Sequence, residues 1–303
     1  MNIVSQMCAI AVMFVIIYFY VSQKKIILHT SRAFVEVWIA GMLSLFFDIF
    51  SLVAIEKRDG YPLAVTNFIC KLYLLTITWV AIVAFWYICV DIFRKKELEC
   101  KWRKWLWIFG ILTDILIMVV PIKIYDSDNI VYTYGPAVLI TYAVTVTLLG
   151  LILLLTKKYR QVINSRRRKS MLVWVTLMFS AAVIQFINNK LLIVGFASMI
   201  GVLVIFIMLE NPMANIDRDT GFFNLNAFFE YMKEVYGQGK DVSIVCVRYG
   251  SNGNEVFSSK MENSIFFEVV SFIKNIPDNY VFRSSANEYL LVFENIDCAE
   301  KTI

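Results

Sequence analysis

The chain has 303 residues, of which 59 % are hydrophobic and only 17 % are charged. Soluble globular proteins average about 45–50 % and 25 %, so this composition excludes an ordinary soluble protein and indicates a membrane protein. The net charge of +5 does not indicate nucleic-acid binding: residues 1–210 hold 21 Lys/Arg and 11 Asp/Glu (+10), whereas residues 211–303 hold 8 and 13 (−5).

Seven apolar stretches follow one another before residue 210, and all but the third are near the roughly 20 residues with which a helix crosses a bilayer. They cover residues 3–21, 35–55, 64–92, 105–120, 136–156, 171–187 and 191–209. The third is longer, so it is expected to tilt or to project a turn into the cytoplasm. The first lacks the basic start and small-residue cleavage site of a signal peptide, which indicates a retained span. Residues 1–210 are therefore predicted to form an α-helical membrane bundle of seven transmembrane helices, with six or eight as alternative counts.

Lys and Arg alternate between the six connecting loops, with counts of 3, 2, 6, 1, 7 and 1. Short loops rich in these residues stay on the cytoplasmic side of a membrane. The alternation therefore predicts an N-terminus outside and a cytoplasmic C-terminal part. Only residues 188–190 separate the last two spans, which predicts a tight helical hairpin there, because one merged helix would be too long for a single crossing.

Three ionisable residues stand out because they lie well inside the predicted spans, away from the span ends: Asp48, Lys71 and Asp114. At 1.5 Å per helical residue, all three fall about 10 Å below the outer surface. Charged groups in hydrocarbon usually face the bundle interior and have a partner. This intramembrane polar cluster is predicted to be a structural salt bridge, or alternatively the floor of a pocket that senses a ligand or ion. A proton or substrate pathway is the third interpretation.

The composition changes after the seventh span, which ends at Glu210-Asn211-Pro212 because Pro disfavours helix at the residue before it. Asn224 is placed to cap a helix, residues 242–247 have the pattern of a strand, and residues 261–276 that of a second helix. Residues 280–283 and 289–293 then predict two strands joined by a four-residue turn. Residues 211–303 are therefore predicted to form a small α+β domain with an antiparallel hairpin.

Two motifs in this domain resemble the signatures of the GGDEF family. The family's opening signature reads Asp-x-Leu-Thr-Gly-Leu-x-Asn-Arg-x-x-Phe. The matching residues are Asp217, Thr220, Gly221, Asn224 and Phe228, and the departures are Asp219, Phe222 and Leu225. Arg283 then opens the segment that stands where the family has Arg-Tyr-Gly-Gly-Asp-Glu-Phe, and here that segment continues as Ser284, Ser285, Ala286, Asn287, Glu288 and Tyr289.

Active members of the family are diguanylate cyclases, which join two GTP molecules into cyclic di-GMP with the help of Mg²⁺. Here Ser285 and Ala286 replace the glycines, and Asn287 replaces an acidic metal ligand by a neutral amide, a poorer ligand for a hard cation. The family's other metal-binding Asp would fall near residues 246–248, where no carboxylate exists. The resemblance therefore implies a degenerate domain without catalysis, with no metal site and no binding of Mg²⁺ or GTP.

A membrane bundle before a GGDEF domain is a common layout of bacterial multi-pass membrane sensors, and this chain resembles them overall. The resemblance implies a signalling receptor in the bacterial inner membrane that works in cyclic di-GMP signalling as a homodimer, with a downstream or separate cyclic di-GMP enzyme as partner. The GGDEF-like part is expected to be truncated, because fewer residues follow Pro212 than the family requires.

Three other functions are open to a chain of this kind. One is the input half of a membrane-bound cyclic di-GMP phosphodiesterase, whose EAL domain would lie beyond Ile303. Another is a transporter, although broken helices with paired Gly or Pro residues are sparse here. The third is the membrane half of a histidine kinase, which the two GGDEF-like motifs disfavour.

Overall fold

A computed structural model describes residues 3–60, 62–92, 96–127, 130–163, 165–187, 193–249 and 259–294. The chain divides into two compact units. The first unit contains Met1–Gln23 and His29–Asn211, and the second contains Lys24–Leu28 and Pro212–Ile303. The short segment between the first two helices thus belongs to the same unit as the C-terminal part of the chain.

The described residues of the first unit form seven long helices. They are α1 (Val4–Ser22), α2 (His29–Glu56), α3 (Leu63–Ile92), α4 (Lys96–Val119), α5 (Pro136–Lys158), α6 (Ser165–Ile187) and α7 (Val194–Ile205). A π-helical turn, Phe206–Glu210, continues α7. Large apolar side chains such as Phe14, Phe50 and Leu154 are exposed on the outside of this unit, as expected for helices that face lipid rather than water.

Five helices in the described residues are long and apolar enough to cross a membrane, which is compatible with a multi-pass membrane protein. They lie within Val4–Ser22, His29–Glu56, Leu63–Val90, Pro136–Lys158 and Val194–Asn215. The other two predicted spans coincide with α4 and α6, which both begin with clusters of basic residues. That α4 and α6 also cross the membrane stays a prediction. The predicted turn at residues 188–190 lies outside the described residues.

A β-hairpin connects α4 to α5, where the sequence had indicated only a loop. Strands β1 (Lys123–Ser127) and β2 (Ile130–Tyr134) pair antiparallel, with Lys123 opposite Tyr134. The two strands are only five residues long, and Lys123, Asp126 and Ser127 interrupt the apolar alternation in β1 that would indicate a strand.

The second unit contains a four-stranded sheet and two helices. They are β3 (Phe223–Asn224), α8 (Leu225–Gln238), β4 (Ser243–Arg248), α9 (Ser259–Lys274), β5 (Tyr280–Ser285) and β6 (Glu288–Phe293). The strand order is β3-β5-β6-β4, with β3 parallel to β5 and with β6 antiparallel to both β4 and β5. The predicted antiparallel hairpin is therefore confirmed.

The two helices cover opposite faces of this sheet. Phe282 on β5 packs in the cluster that contains Tyr231 of α8, whereas the neighbouring Val281 packs in the cluster that contains Ile273 of α9. Successive side chains on a strand point to opposite faces, so β5 supplies both halves of the core. The core of this unit lies around β5 and β6.

Two features of the sheet differ from the prediction. Strand β3 was missed, because two residues are too few to produce a periodic pattern. The connection between β5 and β6 is shorter than the predicted four residues, since β5 continues to Ser285, which pairs with Glu288. A bulge between Arg283 and Ser285 lets the pairing continue, and only Ala286 and Asn287 form the turn.

Candidate functional site

The opening signature folds into a closed turn at the start of the second unit. The Asp217 carboxylate accepts hydrogen bonds from the backbone N–H (3.0 Å) and the hydroxyl (2.7 Å) of Thr220. Backbone bonds from Gly221 to Asp217 and from Asp217 to Phe222 close the loop. Gly221 has a φ of +71°, a left-handed conformation that glycine adopts without steric cost. Asp217, Thr220 and Gly221, three of the matching positions, therefore all help to form this turn.

Asn224 and Phe228, the other two matching positions, also have structural roles. Asn224 Oδ1 accepts a hydrogen bond from the N–H of Ala227 at 3.0 Å, so the predicted cap of α8 is confirmed. The Asn224 amide group donates to the carbonyl of Ala214 at 2.9 Å. The Phe228 ring packs edge-on against Phe282, with 5.4 Å between the ring centroids. The five matching positions therefore all have structural roles in this chain.

Arg283 joins the opening turn to the hairpin, although the two motifs are 66 residues apart. Its Nη1 lies 2.9 Å from Asp217 Oδ1 and 2.8 Å from Asp219 Oδ2. Burial opposes ionisation of Asp217, but the hydrogen bonds from Thr220 and Arg283 outweigh it and hold the pKa of this carboxyl below its ordinary 3.8. Burial likewise opposes the charge of Arg283, but its bonds to Asp219 and Asp217 outweigh it and raise the pKa of the guanidinium.

The hairpin turn closes without glycine. Ala286 and Asn287 both have negative φ, so the turn needs none of the conformational freedom that glycine would supply. Tyr289, at the last position of the degenerate signature, is fully buried. Its ring packs edge-on against Phe222 at 5.7 Å and stacks with Tyr249 at 6.2 Å between centroids. Tyr289 is therefore part of the hydrophobic core of the second unit.

Glu288 is the one acidic residue that the hairpin retains, and both of its oxygens are occupied. Arg248 donates to Oε2 from Nε (3.2 Å) and from Nη2 (2.8 Å), and the Ser284 hydroxyl donates to Oε1 at 2.7 Å. The Ser284 hydrogen bond, helped by Arg248, lowers the pKa of Glu288 despite its partial desolvation. Arg248 stands directly opposite Glu288 across β4 and β6, so the sheet register itself forms this pair.

This arrangement does not fit a Mg²⁺ site. A divalent cation needs several oxygen ligands, preferably carboxylates, and a guanidinium already neutralises the single carboxylate of the hairpin. Asn287 offers only a neutral amide. In the described part of the chain, no group of three or more His, Cys, Asp or Glu side chains could hold a metal ion.

The structure gives Asp48 partners on two other helices of the first unit. Its side chain is 3 % exposed, and Oδ2 accepts a hydrogen bond from Gln6 Nε2 at 3.2 Å. The hydroxyl of Tyr73 is a second hydrogen-bond partner. A Cβ atom at Gly195 would lie 3.3 Å from Oδ2, so α7 passes the carboxylate closely. Asp48 therefore joins α1, α2 and α3 next to α7.

Lys71 and Asp114 have partners of their own. Lys71 Nζ donates to the carbonyl of Met118 at 2.6 Å, and Asp114 Oδ2 accepts a hydrogen bond from Trp79 Nε1 at 2.9 Å. Among the residues that the structure describes, no ion pair joins any two of Asp48, Lys71 and Asp114. The three residues that were grouped by depth therefore make separate contacts. Lys71 and Asp114 each connect α3 with α4, whereas Asp48 connects α2 with α1 and α3.

A second buried polar cluster surrounds Glu210, and the sequence did not predict it. The hydroxyls of Tyr87 and Ser31 lie 2.7 Å from Oε1 and 3.2 Å from Oε2. Arg167 Nη2 lies 3.7 Å from Oε1, and the two charged side chains are only 7 % and 5 % exposed. The Arg167 guanidinium also lies 4.6 Å from the centre of the Tyr87 ring. The cluster therefore connects the end of the π-helical turn to α2, α3 and α6.

The segment Lys24–Leu28 completes the core of the second unit. Ile26 is 6 % exposed and packs in the cluster of Phe223, Tyr231 and Phe282, whereas the neighbouring Ile27 is 60 % exposed. Lys24 Nζ lies 5.1 Å from the centre of the Phe223 ring. Positions 26 and 27 are both isoleucine, so the sequence gives no signal of which one packs in this core.

Comparison of the chain with protein-family models and with curated proteins finds no match. The likeness to GGDEF domains therefore depends on the two sequence motifs alone.

Proposed function

We propose that this chain is a membrane-embedded signalling receptor in a bacterial inner membrane. In this proposal all seven helices span the membrane, with the N-terminus outside, and they couple an external or membrane stimulus to a catalytically inactive GGDEF-like cytoplasmic domain. The output is a change in the second unit that a partner in cyclic di-GMP signalling reads, either a second copy of the chain or a separate enzyme. The alternating Lys and Arg counts of the loops support the orientation.

The contacts of Glu288 support an output without catalysis. Cyclase chemistry through two Mg²⁺ ions depends on carboxylates that are free to bind the metal. Glu288 instead receives three hydrogen bonds, two of them from the cationic Arg248. The residues that match the family maintain the turn, the helix cap and the core. The structural residues match the family and the metal-binding residues do not. This difference favours a domain that retains the fold for signalling but has lost cyclase activity.

The observation that carries the proposal is the position of Ile26 in the core of the second unit. The segment Lys24–Leu28 leaves α1 and returns to α2, and Asn211 leads from the end of the π-helical turn into Pro212. The chain therefore passes between the two units three times. A displacement of α1 or α2 would pull directly on a residue that packs against β3, α8 and β5.

This coupling can be tested in the intact protein reconstituted in lipid nanodiscs. Asp48→Asn weakens the contact between α2 and Gln6 of α1, the two helices that flank the segment. We expect it to change the rate of amide hydrogen exchange in α8 and β5. Adding Ile26→Ala should abolish the transmitted change, because the side chain that connects the segment to the core is lost, whereas adding the exposed Ile27→Ala should preserve it.

Two results would contradict the receptor proposal. One is an Asp48→Asn protein that keeps its helical content and leaves exchange throughout the second unit unchanged. The other is a transmitted change of equal size in the Ile26→Ala and Ile27→Ala backgrounds, because the segment would then play no part in the coupling.

The absence of cyclase activity is tested separately. The intact protein, incubated with GTP and Mg²⁺, is expected to form no cyclic di-GMP detectable by mass spectrometry, because Glu288 is held by Arg248 and Ser284. Arg248→Asp with Asn287→Asp introduces one carboxylate within residues 246–248 and one at position 287, and serves as a comparison. Product formation by the unaltered chain would exclude an inactive output domain without affecting the coupling experiment.

A further inference from the structure

A small cavity lies in the middle of the first unit, among α2, α3, α5, α6 and α7. Its volume, for the centre of a water-sized sphere, is about 10 Å³, which is enough for one water molecule. The lining includes Ser44, Thr145, Trp174, Gly195 and Ser198, together with apolar side chains. None of the lining side chains is charged.

Three polar atoms of the lining have no hydrogen-bond partner among the described residues: Thr145 Oγ1, Trp174 Nε1 and Ser198 Oγ. Trp174 is fully buried and Ser198 is 8 % exposed. Buried polar groups are nearly always hydrogen-bonded, to protein or to ordered water, because an unpaired group keeps the full penalty of its desolvation. Three such atoms around one cavity point to a ligand that satisfies them together.

The free hydroxyl of Thr145 is not explained by its place in a helix. Thr141 and Thr147, on the same helix, donate to the carbonyls of Ala137 and Ala143, four residues earlier, at 3.1 Å and 2.7 Å. This local bond is the usual alternative for a threonine in a helix. Thr145 makes no such bond, which leaves its hydroxyl available to the cavity.

The chemistry of the lining defines the ligand. The indole N–H can only donate, so the ligand must accept a hydrogen bond, whereas the two hydroxyls can donate or accept. The lack of charged side chains requires a neutral ligand, and the volume restricts it to the size of water. We propose that this cavity is a binding site for one water molecule, which bridges Thr145 of α5, Trp174 of α6 and Ser198 of α7.

The site lies next to the buried carboxylate of Asp48. Gly195 lines the cavity, and a Cβ atom at Gly195 would meet Asp48 Oδ2 at 3.3 Å. Ser44, one helical turn before Asp48, lines it as well. The bound water therefore lies between α7 and the neighbouring helices, close to the carboxylate of Asp48, and takes the place of direct contacts between their side chains there.

The water can be detected through the indole N–H proton of Trp174 by NMR of the intact, deuterated protein in nanodiscs. Labelling with ¹⁵N-tryptophan, with Trp174→Phe to assign the resonance, allows laboratory-frame and rotating-frame Overhauser spectra to be compared. We expect a dipolar cross peak between the Trp174 indole proton and water. The cross peak of a bound water has opposite signs in the two spectra. Exchange of the indole proton with water gives the same sign in both.

Hydroxyl protons of Thr145 and Ser198 also resonate at the water frequency, so the variants are chosen to separate the two sources. Ala81→Val fills the cavity from another lining position without altering either hydroxyl, and it is expected to remove the cross peak. Thr145→Val with Ser198→Ala removes two of the three partners and is expected to remove it as well. The matched control, Thr147→Val on the same helix, should retain it.

Two results overturn the proposal. A visible Trp174 indole resonance with no water cross peak in the unaltered protein shows that the cavity is dry. A cross peak that survives Ala81→Val in a folded protein shows that the signal comes from the hydroxyl protons and not from a bound water. If Ala81→Val fails to fold, the same decision rests on Val80→Ile, which fills the cavity from the neighbouring lining position and leaves both hydroxyls in place.

Discussion

Gly201 lies on α7 directly beneath the indole ring of Trp174. A Cβ atom built on Gly201 would come within 1.4 Å of Trp174 Cδ1, so the ring occupies the space that any other residue would need. Small residues of this kind let helices approach closely in a membrane, where packing replaces the hydrophobic effect as the source of association. The contact explains why the largest side chain of α6 is completely buried.

Substitution Gly201→Ala should therefore destabilise the first unit, by about 1–3 kcal/mol, because the indole must leave its position. Gly150→Ala is the matched control: it lies inside α5, and a Cβ atom there meets nothing within 4 Å. It should stabilise the helix by about 0.5–1 kcal/mol, since alanine loses less backbone entropy. SDS-induced unfolding in mixed micelles measures both effects. Equal effects of the two substitutions would show that Trp174 does not rest on Gly201.

At the scale of single elements, the second unit depends on the contact between the opening turn and β5. Apart from Phe222, which packs against Tyr289, the turn has little apolar surface of its own, and β3 is only two residues long. The ion pairs of Arg283 with Asp217 and Asp219 therefore hold the turn against the hairpin. Asp217 is partly exposed. It therefore stabilises the folded domain mainly through its negative charge, which depends on pH.

Asp217 should make the stability of the second unit sensitive to acid. Its pKa in the folded protein lies below the ordinary 3.8, so the stabilisation is complete above pH 3.8 and is lost as the pH falls through the lowered pKa. Asp217→Asn should lower the urea midpoint at neutral pH, and the difference from the unaltered protein should disappear in acid. NMR of the β5 and β6 amides can follow the unfolding.

Asp241→Asn provides the control for this acid dependence, because Asp241 is exposed. Its urea midpoint should follow that of the unaltered protein at every pH. A difference between Asp217→Asn and the unaltered protein that persists below the lowered pKa would mean that the charge of Asp217 is not what stabilises the turn.

At the scale of the whole molecule, Glu210 stands at the last residue of the helical bundle before the chain enters the second unit. Its hydrogen bonds and ion pair connect α2, α3 and α6 to the end of the π-helical turn. Such turns are rare and frequently mark functional positions. In the proposed receptor, this cluster fixes the position of the α7 end relative to the rest of the bundle.

Glu210→Gln should destabilise the first unit by about 3 kcal/mol, because it leaves the buried charge of Arg167 without its carboxylate. Glu36→Gln removes the carboxylate of a similar pair with Arg103, whose side chains are 31 % and 47 % exposed. It should cost at most about 1 kcal/mol, as for other solvent-exposed pairs. SDS-induced unfolding again provides the measurement, and similar losses in the two variants would exclude a special role for Glu210.

The sequence by itself determined the features that depend on composition and on local pattern. The apolar stretches indicated membrane helices because their length matches a bilayer, and five of them are confirmed as long and apolar enough to cross it. The cap at Asn224 and the β5–β6 hairpin were also predicted, because capping and turn chemistry act over a few residues. The resemblance to a degenerate GGDEF signature stays a prediction, because it depends on the residue types of the two motifs alone.

Only the tertiary structure decided which distant side chains meet. Arg166, Arg167 and Arg168 are equivalent in the sequence, yet the packing of α6 buries Arg167 beside Glu210. Equal depth in the membrane grouped Asp48, Lys71 and Asp114, but depth does not specify the direction in which each side chain leaves its helix. The place of Ile26 in the core of the second unit, and of Arg248 opposite Glu288, likewise depends on contacts between segments far apart in the chain, which no local pattern records.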